Sequence, residues 1–167
     1  MEEFIAKKKI YFSYNYEKDE NRVNEIRDMG VVYDIKPASK EEWNEICRQG
    51  DSSIKKWIDD HMREASVVVV FIGSDTDDRK WINYEIEKSW NEGKGLLGIY
   101  IHNIDDKVTG KCLKGKNPFL KFTMNRDGKN LRDVIKCYNP DENDPLNCIY
   151  EHINEWIDDA LDIRRYY

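Results

Sequence analysis

Residues 66–73 read SVVVVFIG, which is the most apolar stretch of the chain. A strand with one solvated face alternates polar and apolar residues, so an unbroken apolar run is typical of a strand that is covered on both faces. Apolar residues at helical spacing flank this run at 51–65 and at 79–93. A buried strand between two helices predicts an α/β protein with a parallel sheet.

The rest of the chain continues this alternation of strands and helices. Further strands are predicted at 7–14 (KKKIYFSY), 30–35 (GVVYDI), 95–103 and 133–139, and a further helix at 17–29. A last helix is predicted after 143–145, where Asp144 can cap a helix that begins at Pro145. We therefore expect a flavodoxin-like, doubly wound sheet of about five parallel strands with helices on both faces.

The length of 167 residues fits one domain over 1–167. Its core is expected at about 7–103 and 133–163. Residues 104–133 are predicted to form an irregular insertion, which is basic because it carries eight Lys and Arg against four Asp.

The composition argues against several classes of function. With 27 basic and 33 acidic residues the net charge is −6, which does not suit a nucleic-acid binder. The apolar run 67–72 is too short to span a membrane, and the N-terminus has no secretory signal, so we expect a cytoplasmic protein without a membrane partner. The cysteines at 47, 112, 137 and 148 form no CxxC pair, and no metal site is expected.

The strand ends predict where a ligand would bind. In an open α/β sheet, ligands bind beyond the carboxyl ends of the strands, at the point where the strand order reverses. That point lies between the strands at 7–14 and 66–73, and the residues that follow them are Ser13, Tyr14, Asn15, Gly73, Ser74 and Asp75.

Glu85 lies in the helix that begins beside this edge, within RKWINYEIEKS at 79–89. At about 100° per residue it falls on the margin of the buried stripe, on the same flank as Trp81. Two interpretations stay open at this point. Glu85 is either a solvated helix charge paired with Arg79 or Lys88, or a carboxylate held in an apolar cleft for chemistry.

Several other chemistries lack their motif. The chain has neither GxGxxG nor GxxxxGK[ST], and the turn SYNYEKDE after the first strand has no glycine to cradle a phosphate. That strand ends FSYN, without the acidic residues of a phosphoreceiver. Cys47 and His61 have no context that would activate a thiol.

Three segments resemble the TIR-like proteins of bacterial Thoeris antiphage defence, of the ThsB type. They are KKIYFSYNYEKD at 8–19, SIKKWIDDHMREASVVVVFIGSDT at 53–76 and RKWINYEIEKS at 79–89, and the resemblance covers about 7–125. It implies a flavodoxin-like TIR fold that cleaves the nicotinamide–ribose bond of NAD⁺ and makes an ADP-ribose-derived signal, expected to be cyclic. The signal activates a partner effector protein.

The resemblance also implies roles for individual residues. The catalytic glutamate of the family falls on Glu85, and its strand-one aromatic and hydroxyl positions fall on Tyr11, Phe12, Ser13 and Tyr14. Trp81 and Tyr84 are candidates to stack on a base, and Ser74 and Asp75 are further substrate-binding candidates at the sheet edge. Many TIR domains carry an arginine soon after the first strand, where this chain has Asn15. NAD⁺ is the substrate, and no cofactor or metal is expected.

One glutamate is chemically sufficient for this reaction. Glycoside hydrolysis ordinarily needs a second carboxyl group to protonate the leaving oxygen, but nicotinamide leaves NAD⁺ as a neutral molecule and needs no proton. Two alternatives remain open from the sequence. The chain could be a non-catalytic TIR-like adaptor that acts by homo-oligomerisation, or an enzyme of the same fold that cleaves the N-glycosidic bond of nucleosides.

Overall fold

A computed structural model describes residues 8–167, so Lys7, where the first predicted strand begins, lies outside the described residues. The four strands are β1 (Ile10–Ser13), β2 (Val67–Ile72), β3 (Gly95–Tyr100) and β4 (Cys137–Tyr138). The α-helices are α1 (Tyr16–Asp28), α2 (Lys40–Gln49), α3 (Asp51–Met62), α4 (Lys80–Asn91), α5 (Leu131–Val134) and α6 (Pro145–Tyr166). The predicted α/β class with a parallel sheet is confirmed.

The strands are parallel and lie in the order β1-β2-β3-β4. All six residues of β2 are buried, as its unbroken apolar run predicts. Successive side chains of β1 point to opposite faces, because a strand has a period of two. Ile10 and Phe12 pack with α1 and α6, whereas Tyr11 packs with α3 and α4. Tyr11 and Ser13 therefore lie on the face of the sheet that α3 and α4 cover.

The strand predicted at 30–35 is reduced to one parallel bridge between Asp34 and Ile10, so within residues 8–167 the sheet has four strands and not five. The backbone N–H of Ile35 still donates to Ile10 O at 2.8 Å, on the edge of β1 that β2 leaves free. Pro37 follows two residues later and has no N–H to continue a ladder. The segment keeps its predicted place beside β1 but cannot extend the pairing.

The insertion predicted at 104–133 is more ordered than expected. It contains a 3-10 helix at Pro118–Lys121 and most of α5, and the ring of Phe119 is fully buried. Its first loop is held to α1 by the buried Arg22, whose guanidinium donates to Asp19 and to the carbonyl oxygens of Ile104 and Gly110. Helix α5 also takes up the beginning of the strand predicted at 133–139, which leaves β4 with two residues.

Helix α2 was not predicted. It has no fully buried residue, and only Trp43 and Ile46 pack partly against the core. Its start is set by Ser39, whose hydroxyl accepts from the backbone N–H of Glu42 at 3.1 Å. Within residues 8–167, no helix combines the length and the apolar character that a membrane span requires.

Candidate active site

A cavity of about 340 Å³ opens at the carboxyl end of β1, between the start of α1 and the helices α2, α3 and α4. Its aromatic lining consists of Tyr11, Tyr14, Tyr16, Trp43, Trp57 and Trp81. Its charged lining consists of Glu17, Asp78, Arg79, Lys80 and Glu85. An aromatic cavity with a few convergent polar groups is the usual form of a small-molecule site.

Glu85 is the most unusual side chain of this cavity. It is only 5% exposed, although it is a carboxylic acid on the second turn of α4. Its Oε1 accepts from the Ser13 hydroxyl at 3.3 Å, and its Oε2 has no hydrogen-bond partner among the described residues. Buried polar atoms are nearly always paired, so a lone acceptor in a cavity wall indicates a ligand.

Burial raises the pKa of Glu85 to about 8, because removal from water disfavours the carboxylate. The hydroxyls of Tyr11 and Ser13 lower this pKa from what burial alone would produce, and of the two only Ser13 has full hydrogen-bonding geometry. Burial, and then the nearby Glu85, raise the pKa of Tyr11 well above its ordinary value, so Tyr11 stays neutral.

The ion-pair interpretation of Glu85 does not fit this geometry. Lys88 pairs instead with Glu92 at 2.7 Å and with Asp59 of α3 at 3.5 Å. Arg79 lies 3.9 Å from Glu17 at the mouth of the cavity. No cation within residues 8–167 forms a salt bridge with Glu85, so no internal ion pair competes with a bound molecule for its carboxyl group.

Two tryptophans and a tyrosine form a continuous wall opposite α4. The rings of Tyr16 and Trp43 are stacked, with centroids 5.1 Å apart, and Trp57 meets Trp43 edge-on at 5.6 Å. The ring of His61 stacks behind Trp57 at 3.8 Å. Such a surface offers flat faces to a nucleobase or to a pyridine ring.

Tyr14 packs beside this wall. Its ring lies 4.5 Å from that of Tyr16, and its hydroxyl accepts from Arg27 at 3.2 Å. Arg27 also lies over the ring of Phe12 and donates from Nε to Asp34 at 2.9 Å. Arg27 therefore holds the Tyr14 side chain in place beside the wall.

The structure brings Glu85, Tyr11, Tyr14 and Trp81 together in the cavity and places Ser13 against Glu85. The other candidates from the sequence are not brought to it. Phe12 packs edge-on against Phe71 at 4.7 Å in the core on the opposite face of the sheet.

Ser74 and Asp75 lie in the turn after β2 and do not line the cavity, and the carboxylate of Asp75 forms an ion pair with Lys18. Tyr84 joins two helices, since its hydroxyl donates to Asp59 of α3 at 2.5 Å. Burial and this hydrogen bond raise the pKa of Tyr84 to about 12.

Several residues of the cavity were not predicted to bind substrate from the sequence, namely Asn15, Tyr16, Trp43, Trp57 and Arg79. Asn15 has the most specific geometry of these. Its Oδ1 caps α1 by accepting from the N–H groups of Glu17 and Lys18, and its buried Nδ2 has no acceptor among the described residues. Its signal in the sequence was its position directly after β1, where many TIR domains have an arginine.

A thiol mechanism has no support here. Cys47 is largely exposed, and the pKa of its thiol is raised by incomplete solvation and then by the charge of Glu17. His61 directs Nδ1 at the Trp57 carbonyl oxygen over 2.7 Å rather than at the thiol. Across residues 8–167, no three His, Cys, Asp or Glu side chains gather into an arrangement that would hold a metal ion.

Comparisons with known proteins identify the family of the chain. A family model described as the TIR-like domain of the Thoeris protein ThsB matches residues 11–106, which include most of β1, the aromatic wall and Glu85. The chain is 34% identical over 131 residues to ThsB1 of Bacillus cereus (strain MSX-D12), whose name describes it as a proposed cyclic ADP-D-ribose synthase. The matched segment covers 74% of this chain and 68% of that protein. The chain therefore belongs to the family of Thoeris ThsB proteins with a TIR-like domain.

Proposed function

We propose that this protein cleaves the nicotinamide–ribose bond of NAD⁺ and closes the remaining ADP-ribose into a cyclic product. The observation that carries the proposal is the buried carboxyl of Glu85, whose Oε2 has no partner in an aromatic cavity. The name of the Bacillus cereus relative supports the cyclic product. In this proposal the product is the signal that activates a partner effector in antiphage defence, and the reaction takes place in the cytoplasm.

The chemistry begins with the charge of the substrate. The nicotinamide ring of NAD⁺ is cationic, and a cation placed beside Glu85 lowers the pKa of its carboxyl. Substrate binding therefore ionises Glu85 inside the cavity. The C–N bond breaks, its electron pair leaves with neutral nicotinamide, and the carboxylate stabilises the cationic ribose that remains.

The product depends on which nucleophile reaches the ribose carbon. A hydroxyl oxygen of the same molecule can form the new bond and lose its own proton. An adenine ring nitrogen can also form it, and the proton is then lost from the exocyclic amino group; either route gives a cyclic product. Water in the same position gives linear ADP-ribose. The aromatic wall supports cyclisation, because flat rings can hold the adenine end within the cavity and exclude water from the ribose cation.

The test is product analysis with wild-type protein, Glu85→Gln and Glu87→Gln. Glu87 is exposed on the same helix two residues away, so its change is the matched control. We expect the wild type and Glu87→Gln to release nicotinamide and a cyclic product from NAD⁺, and Glu85→Gln to be slower by about 100-fold or more. Nicotinamide release that persists at the wild-type rate in Glu85→Gln, or that no preparation shows at any protein concentration, would contradict the proposal.

A further inference from the structure

The start of α4 is open toward the cavity. Arg79 holds the N-cap position in an extended conformation, and its side chain makes no capping hydrogen bond. The first turn contains no acidic residue. Among the described residues, the backbone N–H groups of Lys80, Trp81 and Ile82 have no acceptor. Unpaired N–H groups and the positive end of the helix dipole together favour an anion.

The start of α1 lines the same cavity but is closed. Asn15 caps it through Oδ1, and Glu17 and Asp19 lie in its first turn. The carboxylates therefore satisfy the dipole of α1, whereas nothing equivalent satisfies that of α4. Of the two helix starts at this cavity, only that of α4 can receive an anion.

Two buried side-chain atoms independently indicate a ligand here. The Nδ2 of Asn15, which is 3% exposed, is a hydrogen-bond donor without an acceptor. The Oε2 of Glu85, which is 5% exposed, has no hydrogen-bond partner, and once the carboxyl is ionised it is an acceptor without a donor. Both residues line the cavity with Arg79 and Lys80. A single molecule that satisfies both atoms must carry an acceptor group for Asn15 and a cationic or donor group for Glu85.

The charges around the opening are balanced, with Glu17 and Asp78 against Arg79 and Lys80, so an anion must displace a carboxylate from Arg79. Arg79 meets Glu17 at only 3.9 Å, and both side chains are largely solvated. Asp78 also lines the cavity, but it faces Lys121 at 3.9 Å, and Lys80 lies 2.5 Å from Asp51. Exposed pairs of this kind contribute little free energy, so Arg79 can exchange Glu17 for a stronger partner.

We propose that the start of α4, Arg79 and the side-chain amide of Asn15 form the diphosphate subsite of the substrate. This rests on the proposed function, in which Glu85 acts on the nicotinamide riboside half. The diphosphate joins that half to adenosine, so an anion site beside Glu85 selects dinucleotides over nucleosides. Arg79 is the specificity-determining residue, because a guanidinium can donate two hydrogen bonds to a phosphate.

The test compares two substrates that share the scissile bond, NAD⁺ and nicotinamide riboside, of which the second has no phosphate. The proteins are wild type, Arg79→Ala, Arg79→Asp and Arg63→Ala, the last an exposed arginine of α3 that pairs with Asp60 outside the cavity. Arg79→Ala is expected to raise KM for NAD⁺ about tenfold or more, and Arg79→Asp to raise it further. Neither change should alter kcat/KM for nicotinamide riboside by more than about twofold, and Arg63→Ala should match wild type.

Arg79→Asp separates a binding role from a structural one. Aspartate is a favoured N-cap residue, so this change should raise the melting temperature while it weakens NAD⁺ binding. Equal losses for both substrates, or an unchanged KM for NAD⁺, would overturn the subsite.

Titration with ADP-ribose by calorimetry distinguishes failure of the subsite from failure of the proposed function. If no nicotinamide is released, ADP-ribose binding that Arg79→Ala weakens tenfold still supports the subsite. ADP-ribose binding that is absent, or insensitive to Arg79, contradicts it.

Discussion

The Ser13 hydroxyl donates to Oε1 of Glu85 over 3.3 Å, and this is the one hydrogen bond that the buried carboxyl receives from the described residues. Ser13 is the last residue of β1 and Glu85 lies in α4, so the contact joins the central sheet to the helix. A hydrogen bond to a carboxylate stabilises the charged form against burial. The acidity of Glu85 therefore depends on a hydroxyl group 72 residues away in the chain.

The first prediction concerns the pH dependence of the wild-type reaction. The value of kcat/KM reports the free enzyme, in which burial raises the pKa of Glu85 to about 8. Because the carboxylate is the active form, kcat/KM should rise with pH and reach half its plateau near pH 8. The midpoint of kcat should lie lower, since the bound substrate cation lowers the pKa. Rates of nicotinamide release from pH 5.5 to 9.5 test this, and coincident midpoints or a flat profile would contradict it.

The second prediction is that Ser13→Ala moves the kcat/KM midpoint upward. Loss of a hydrogen bond to the carboxylate favours the protonated form, and a bond of this kind is worth about 1.5 kcal/mol, or about one pH unit. The value of kcat/KM near pH 7 should fall about tenfold, while the plateau of kcat/KM at high pH is largely retained. Ser13→Thr keeps a hydroxyl and is the matched control. A uniform loss at every pH would show that Ser13 acts on the fold and not on the acidity of Glu85.

The third prediction is that Glu85 lowers stability as pH rises. Its pKa in the folded protein, about 8, lies above the ordinary value of 4.5, so the folded state holds the proton more tightly than the unfolded state. The contribution of Glu85 to the free energy of unfolding is thus complete below about pH 4.5 and is lost progressively up to about pH 8. The loss is at most about 5 kcal/mol, since each pH unit corresponds to about 1.4 kcal/mol.

Glu85→Gln removes this titration. The variant should have nearly wild-type stability at pH 5 and should exceed the wild type by a few kcal/mol at pH 8.5. Urea unfolding of both proteins at pH 5, 7 and 8.5 measures the difference between their free energies of unfolding. The other titrating groups are the same in both proteins, so their contributions cancel in this difference. A stability difference that does not change with pH would contradict the raised pKa.

The sequence predicts best those strands and helices whose own residues show how they are buried. The run 67–72 is apolar at every position and becomes a strand covered on both faces. The segment 30–35 shows the limit of this reasoning. Its apolar residues predict a strand, but Pro37 has no N–H to continue the pairing, and only the bridge at Asp34 forms. Helix α2 shows another limit. Its apolar residues Trp43, Ile46 and Cys47 do lie on one helical face, but they span little more than one turn, and none is fully buried.

The cavity also contains residues that their own helix makes recognisable and residues that only tertiary packing brings to it. Glu85 is found from the sequence because its helix has a clear apolar stripe beside a sheet edge. Trp43 and Arg79 are not, because they reach the cavity only through tertiary packing. A tryptophan in a sequence indicates core as readily as a binding surface. Its role becomes visible when Tyr16 and Trp57 are placed against it.

The last prediction follows from that wall. Trp43 stacks on Tyr16 and meets Trp57, so Trp43→Ala opens the side of the cavity opposite α4. Because Trp43 is only partly buried and α2 has no fully buried residue, the protein should remain folded. Water then competes better with the internal nucleophile for the ribose cation, and the ratio of linear to cyclic product should rise severalfold. Total nicotinamide release should fall less than cyclic product, because Glu85 is intact.

Chromatography with mass spectrometry measures both products, and Trp43→Phe, which retains an aromatic face, should restore most of the cyclic fraction. An unchanged product ratio in Trp43→Ala would show that the wall does not control the fate of the cation.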